Sequence, residues 1–217
     1  MSIAHQPQTD QVVVIVHGLY MHGIVMLPLQ RHLVACGFQC KRFSYPSLRL
    51  SVEDNATQLT EYLCGIDTPV VHFVCHSLGG LVVRAMLVRS NWQRPGRVLT
   101  LGTPHLGSYV AKRLGASSAF APIVGHSLTH GLDGDLPPWP KTREVATIAG
   151  TLAVGAGRLV PGLPKPNDGT VALAETDLGS GYPRAILPVS HTSMLFSRTV
   201  ADYACSYLQS GRFPGAD

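Results

Sequence analysis

The chain has 217 residues, 45% of them apolar and 14% charged, with a formal net charge of +4 at neutral pH. That length and apolar content suit one folded domain with a sizeable core and argue against disorder. Lys and Arg are scattered without a dense basic cluster, so nothing points to a nucleic-acid partner, and no run reaches the roughly 18 apolar residues of a membrane span.

Met1 to Asp10 is polar, with neither the basic start nor the apolar stretch of a secretion leader. Gln11 to Val16 is β-branched and apolar, as in a buried strand, and runs into the loop His17-Gly18-Leu19-Tyr20. Met21 to Cys36 has helical spacing, with Pro28 marking where the regular helix begins and Gly37 ending it. Cys36 and Cys40 flank Gly37-Phe38, which reads as a helix-to-strand turn rather than a zinc knuckle. The five cysteines are odd in number and form no metal-like pair of CxxC motifs, and a reducing cytoplasm is the default expectation.

Phe38 to Phe43 reads as a second strand, and Ser51 as the N-cap of a helix over Val52 to Cys64, with Asp54 at its third position. Val70 to His76 is a third strand that turns at Ser77 into the helical pattern Leu78 to Arg89. Strand, sharp turn with a central Ser, Gly and helix is the nucleophile-elbow pattern, with Cys75 where the first Gly of G-x-S-x-G normally stands. Arg97 to Leu101 is the next strand, closed by Gly102-Thr103-Pro104-His105, and Tyr109 to Leu114 a short helix. Residues 115–141 lose regularity but keep apolar side chains, and read as a small lid or cap. Glu144 to Ala149 and Arg184 to Val189 are the last strands, separated by a loop with the turn Asn167-Asp168-Gly169 and a short helix or extension at Val171 to Ala174. Ser190-His191 follows, and Thr199 to Leu208 closes the chain as a helix.

Alternating strands and helices imply right-handed crossovers and a mainly parallel sheet of about six strands, with helices on both faces. In such sheets chemistry gathers at the carboxyl ends of the strands. His17-Gly18, Ser77, Asp168 and His191 all fall there. A Ser hydroxyl needs a base, and the base an orienting acid. Ser77 could be a mere N-cap, but its flanks favour a nucleophile. His191, last in chain order, is the expected base, and Asp168 the acid, though Asn-Asp-Gly is also an ordinary turn. Asp133, Asp135 and Glu175 are rival acids. His76, beside Ser77, is expected to point away from it. Backbone N–H groups of Leu19 and Leu78 are the expected oxyanion donors, and His17, Gly18, His76 and His105 are expected to support the site from behind. His22 and Tyr20 are placed at its entrance.

The segments Val-His-Gly-Leu, Cys-His-Ser-Leu-Gly-Gly, Leu-Gly-Thr-Pro-His-Leu-Gly-Ser, Asn-Asp-Gly-Thr-Val and Ser-His, in that order, resemble the α/β-hydrolase superfamily. They are most similar to its bacterial lipase and PGAP1-like (GPI inositol-deacylase-type) esterase branch, from Val12 to about Leu208. The resemblance implies a minimal α/β-hydrolase fold without the first hairpin, and the roles given above to Ser77, His191, Asp168, Leu19 and Leu78. Relatives often carry a disulfide or a calcium site; the sequence shows no sign of either. The expected activity is hydrolysis of a small-molecule or lipid carboxylic ester without cofactor or metal. Acyl transfer and thioester cleavage use the same triad, and a non-catalytic binding module on the same fold is the alternative of another class. The apolar residues Leu19, Tyr20, Met21, Ile24, Val25 and Met26 suit either an acyl pocket or core packing.

Overall fold

The computed structural model describes residues 10–90, 92–116, 126 and 131–215. Much of the expected lid, residues 117–125 and 127–130, lies outside the described residues. Six strands, β1 (Gln11–Val16), β2 (Gln39–Phe43), β3 (Val70–His76), β4 (Arg97–Leu101), β5 (Glu144–Gly150) and β6 (Arg184–Leu187), form one sheet in the order β2-β1-β3-β4-β5-β6. Every neighbouring pair is parallel. The central strands are mostly apolar on both faces because both faces are covered. The edge strand β2, Gln-Cys-Lys-Arg-Phe, alternates instead and carries charge, as an edge exposed to water does.

Helices α1 (Leu27–Ala35) and α5 (Arg198–Ser210) lie on one face, α2 (Val52–Cys64) and α3 (Leu78–Arg89) on the other, and the short α4 (Tyr109–Gly115) follows β4. Alternate residues of each strand feed the two cores. Val12, Val14, Val71, Phe73 and Cys75 pack against α2 and α3, while Val13, Ile15, Val74, Leu99 and Ile148 pack against α1 and α5. Helix α3, apolar on every side apart from Arg84, is buried from Leu78 to Leu87, which pins the elbow beneath its first turn.

Most element boundaries fall where the sequence places them, and the differences have local causes. Pro28 does sit in the first turn of α1, but the residues before it, Gly23–Met26, form a 3-10 turn. Ser51 caps α2 by accepting from the Asp54 N–H at 3.0 Å. Strand β6 stops at Leu187, before Pro188, whose missing N–H cannot continue a ladder. The expected short helix at Val171 to Ala174 is a 3-10 turn over Leu173–Thr176.

The cysteine expectation is corrected. Cys36, at the end of α1, is joined to Cys205 on α5 by a disulfide, 169 positions apart in sequence. Spacing could not reveal the pair because only the packing of the two helices on one sheet face brings them together. Disulfides persist in oxidising compartments, so the argument from cysteine to a reducing cytoplasm no longer stands. A loop this long makes the cross-link a substantial restraint on the unfolded chain. Replacing both cysteines with Ser is expected to lower stability by about 2–5 kcal/mol, or roughly 4–20 °C in Tm. Thermal melts of wild type with and without reductant, beside the double variant, check this; coincident curves contradict it. Among the described residues no helix is long and apolar enough to cross a membrane.

Candidate active site

The elbow stands where β3 meets α3. Ser77 has φ 52° and ψ −124°, a left-handed conformation that a residue with a Cβ rarely adopts and that surrounding contacts must hold. Its N–H donates to the Leu101 carbonyl at 2.9 Å, and its own carbonyl accepts from the Gly80 N–H and the Thr103 hydroxyl. Two glycines make the turn possible by close approach. A Cβ at Gly79 would lie 2.6 Å from the His17 carbonyl oxygen, and one at Gly18 would lie 2.9 Å from the Ser77 Cβ. Cys75 is fully buried in the α2–α3 core, so it serves as a small packing residue there.

The loop after β1 is braced from beneath. His17 Nδ1 donates to the Gly18 carbonyl at 2.9 Å, and its Nε2 accepts from the Tyr45 N–H at 3.2 Å. The Tyr45 hydroxyl donates to the His17 carbonyl at 2.8 Å, and the two rings stack 4.3 Å apart. Burial lowers the His17 pKa, the bond to Gly18 opposes that, and His22 adds to it, so the ring is neutral with its proton on Nδ1.

Asp168 and His191 meet beyond the ends of β5 and β6. Nδ1 of His191 lies 2.7 Å from Oδ2 of Asp168, and both side chains are buried. The other carboxylate oxygen accepts from the Thr170 and Val171 N–H groups at 2.9 and 2.7 Å. The His191 N–H donates to the Asp168 carbonyl at 2.8 Å. A carboxylate oxygen can only accept, so Nδ1 of His191 donates to it, and the neutral tautomer that does so has its lone pair on Nε2.

Ser77, His76 and His191 line one cavity of about 770 Å³ together with Leu19 and Leu78. Its remaining wall is mostly apolar and includes Tyr20, Met21, Val110, Leu114, Leu132 and Val171. Asp168 stands outside it, behind His191. The Leu78 N–H belongs to the first turn of α3, where helix N–H groups have no partner within the helix and the dipole favours negative charge. Of the apolar residues after β1, Leu19, Tyr20 and Met21 line the cavity, whereas Met26 and Val25 pack in the α1–α5 core. His22 is not among the lining residues. His105 lies off the cavity, behind β4. Its Nε2 bonds the Thr100 hydroxyl at 3.1 Å, and burial, with Arg84 and Arg184 nearby, pushes its pKa down to about 3.

The rival acids are engaged elsewhere. Glu175 accepts from the Tyr109 N–H at 2.5 Å and the Ala172 N–H at 2.8 Å, clasping α4 to the Asp168 turn. One oxygen of Asp133 takes the Gly131 and Asp135 N–H groups in a local turn. Sequence reasoning passed over Gly102, which has φ 58° and whose absent Cβ would come 3.0 Å from His191 Nδ1 and 3.1 Å from Asp168 Oδ2. Its place at the end of β4 was legible; its nearness to His191 depends on how β4, β5 and β6 align. Arg84, buried on α3, was also missed. It donates to the carbonyls of His105, Leu136 and Pro137 and ties the 131–140 segment to the loop after β4.

Metal-ligating atoms of His32, Cys36 and Cys205 come within 4.8 Å of one another on the α1–α5 contact. Two of the three are joined as the disulfide, and none lines the cavity.

The sheet order, the elbow and the paired His and Asp beyond the last strands define an α/β-hydrolase fold. Solved structures agree at the level of fold. The chain is similar to the mature lipase BlEst2 of Bacillus licheniformis, at 20% identity and a TM-score of 0.71 over 90% of each chain. It is similar to the metagenomic carboxyl esterase MGS0156 at 16% identity and a TM-score of 0.68, over 87% of this chain and 67% of that one. It also resembles the RedJ thioesterase of prodiginine biosynthesis in Streptomyces coelicolor, at 15% identity and a TM-score of 0.63 over 96% and 89% of the two chains. No family model and no curated protein matches the sequence.

Proposed function

We propose that the protein is a serine hydrolase of carboxylic esters. The observation that carries the reading is the buried 2.7 Å pair of His191 Nδ1 and Asp168 Oδ2, whose histidine shares a cavity with the elbow Ser77. Ser77 Oγ attacks the ester carbonyl carbon while His191 Nε2 takes its proton. The tetrahedral oxyanion is held by the N–H groups of Leu19 and Leu78. His191 returns the proton to the departing alkoxide, leaving an acyl group on Ser77. Water, deprotonated by His191, then attacks that acyl carbon and releases the acid and free Ser77.

The apolar wall favours an apolar acyl group. Along a series of p-nitrophenyl esters, kcat/KM is expected to rise by up to about 4-fold per added methylene while the chain stays inside the cavity, at about 0.8 kcal/mol for each. An optimum at acetate contradicts this and removes the need for a lid over residues 115–141. The fold shared with the RedJ thioesterase favours a second reading, cleavage of a thioester by the same residues. Acyl thioesters, and alcohols competing with water for the acyl group, separate hydrolysis of esters from thioester cleavage and acyl transfer. Kinship with GPI inositol-deacylase-type hydrolases is proposed on the sequence motifs alone. The Cys36–Cys205 disulfide favours an oxidising compartment over the cytoplasm.

A further inference from the structure

The catalytic sequence above gives His76 no task, yet its placement is specific. It is fully buried on β3, directly before the elbow serine. Its Nε2 lies 2.8 Å from the backbone carbonyl oxygen of His191, and the two rings are tilted by 48° with centroids 4.6 Å apart. A carbonyl oxygen only accepts, so Nε2 carries the proton and donates it. Burial pushes the His76 pKa well down and the His191 ring adds to that, the bond to the His191 carbonyl opposes it, and His17 acts downward again. With Nε2 as the donor, Nδ1 carries the ring's lone pair, and it has no partner among the described residues. That lone pair faces Gly18, where a Cβ would come within 3.0 Å of it.

His191 is held at three points. Its side chain and its N–H are both bonded to Asp168, which fixes the two residues to each other. The third bond, from His76 to the His191 carbonyl, runs directly from the strand that carries Ser77 to the residue that carries the base. We propose that His76 is a positioning residue that sets His191 over Ser77 by donating its Nε2 proton to the His191 backbone carbonyl. The proposal rests on the hydrolase reading given above. The site needs a donor at that reach without permanent charge. A Lys or Arg would repel the imidazolium that forms on His191 during reaction, and a Phe or Leu would leave the buried carbonyl unpaired.

The test compares wild type with His76→Leu, which lacks the donor, and His76→Gln, whose amide nitrogen can stand near the position of Nε2. Thermal melts establish that each variant is folded. If the Leu variant does not fold, His76→Asn, whose amide is too short to reach the carbonyl, takes its place with the same expectation. The downfield proton resonance of His191 Nδ1–H, shared with Asp168, is read on the resting protein without turnover. It is expected to be lost or shifted in the Leu variant and retained in the Gln variant. In p-nitrophenyl ester turnover the Leu variant is expected to lose about 10- to 100-fold in kcat, with KM within about 2-fold, as for a base displaced by a fraction of an ångström to an ångström. The Gln variant is expected to recover most of that loss. An unchanged resonance and unchanged kcat in the Leu variant overturn the proposal, as does a Gln variant no better than the Leu variant. If the wild type shows no turnover and no fluorophosphonate labelling, the hydrolase reading fails. The resonance comparison alone then decides whether His76 positions His191.

Discussion

Ser77→Ala is expected to lower kcat for ester hydrolysis by on the order of 10⁵-fold, with KM nearly unchanged, because no other side chain on the elbow offers a nucleophile. The arrangement around Ser77 suits the role proposed for its hydroxyl. The residue is held at φ 52° although it has a Cβ, a conformation that costs on the order of 1–3 kcal/mol. Gly79 lets α3 approach the carbonyls of Val16 and His17, and Gly18 lets the loop after β1 pass over the Ser77 Cβ. A helix merely capped by Ser77 has no need of these features. Its side chain in fact makes no capping bond to α3. The substitution removes one oxygen and leaves the backbone contacts in place, so the melting temperature should stay within a few degrees of wild type. Steady-state kinetics on a short p-nitrophenyl ester, read beside a thermal melt, check both halves of this prediction. A variant that keeps more than a tenth of wild-type kcat moves the nucleophile elsewhere.

Asp168→Asn should cost about 10⁴-fold in kcat, almost as much, through a different route. In wild type one carboxylate oxygen takes the Thr170 and Val171 N–H groups and the other takes the His191 proton. An Asn can keep the first set only by presenting its oxygen to those two N–H groups. Its NH₂ then faces His191 Nδ1, where a second donor is wrong. The imidazole is driven to the other tautomer, with the proton on Nε2 and the lone pair on Nδ1. That nitrogen can no longer accept the Ser77 proton. The imidazolium of the transition state also loses its countercharge. Because substrate binding depends on the apolar cavity, which Asp168 does not line, KM should change little. Near-wild-type turnover in this variant would return the role of acid to another residue. Glu175 and Asp133 would each have to give up the backbone N–H groups they now hold to take that role.

How legible the molecule was depends on the range of the interaction that decides each feature. The strands through Gln11–Val16 and Val70–His76 could be read because burial on both faces demands mostly apolar, β-branched residues. The cap at Ser51 and the stop at Gly37 depend on the residue itself and its near neighbours. The Cys36–Cys205 bond depends on α1 and α5 packing against one face of the sheet, so no spacing rule reaches it. Met26 shows the same limit in the core. As an apolar residue after β1 it suited the acyl pocket as well as the interior, and the helix it precedes carries it inward. His76 is the more instructive case. Its side chain is expected from the sequence to point away from Ser77, yet it lines the same cavity and reaches the carbonyl of His191. The His191 backbone is brought there by the register of strands β3 to β6 and is therefore invisible to a local reading.

Fluorophosphonate labelling located by peptide mass spectrometry tests the central claim most directly. The account predicts a single adduct on wild-type protein, carried by the peptide that contains Ser77, and none on Ser77→Ala. Folded wild-type protein that takes no label, or takes it on another residue, would contradict the assignment of this elbow as the seat of the chemistry.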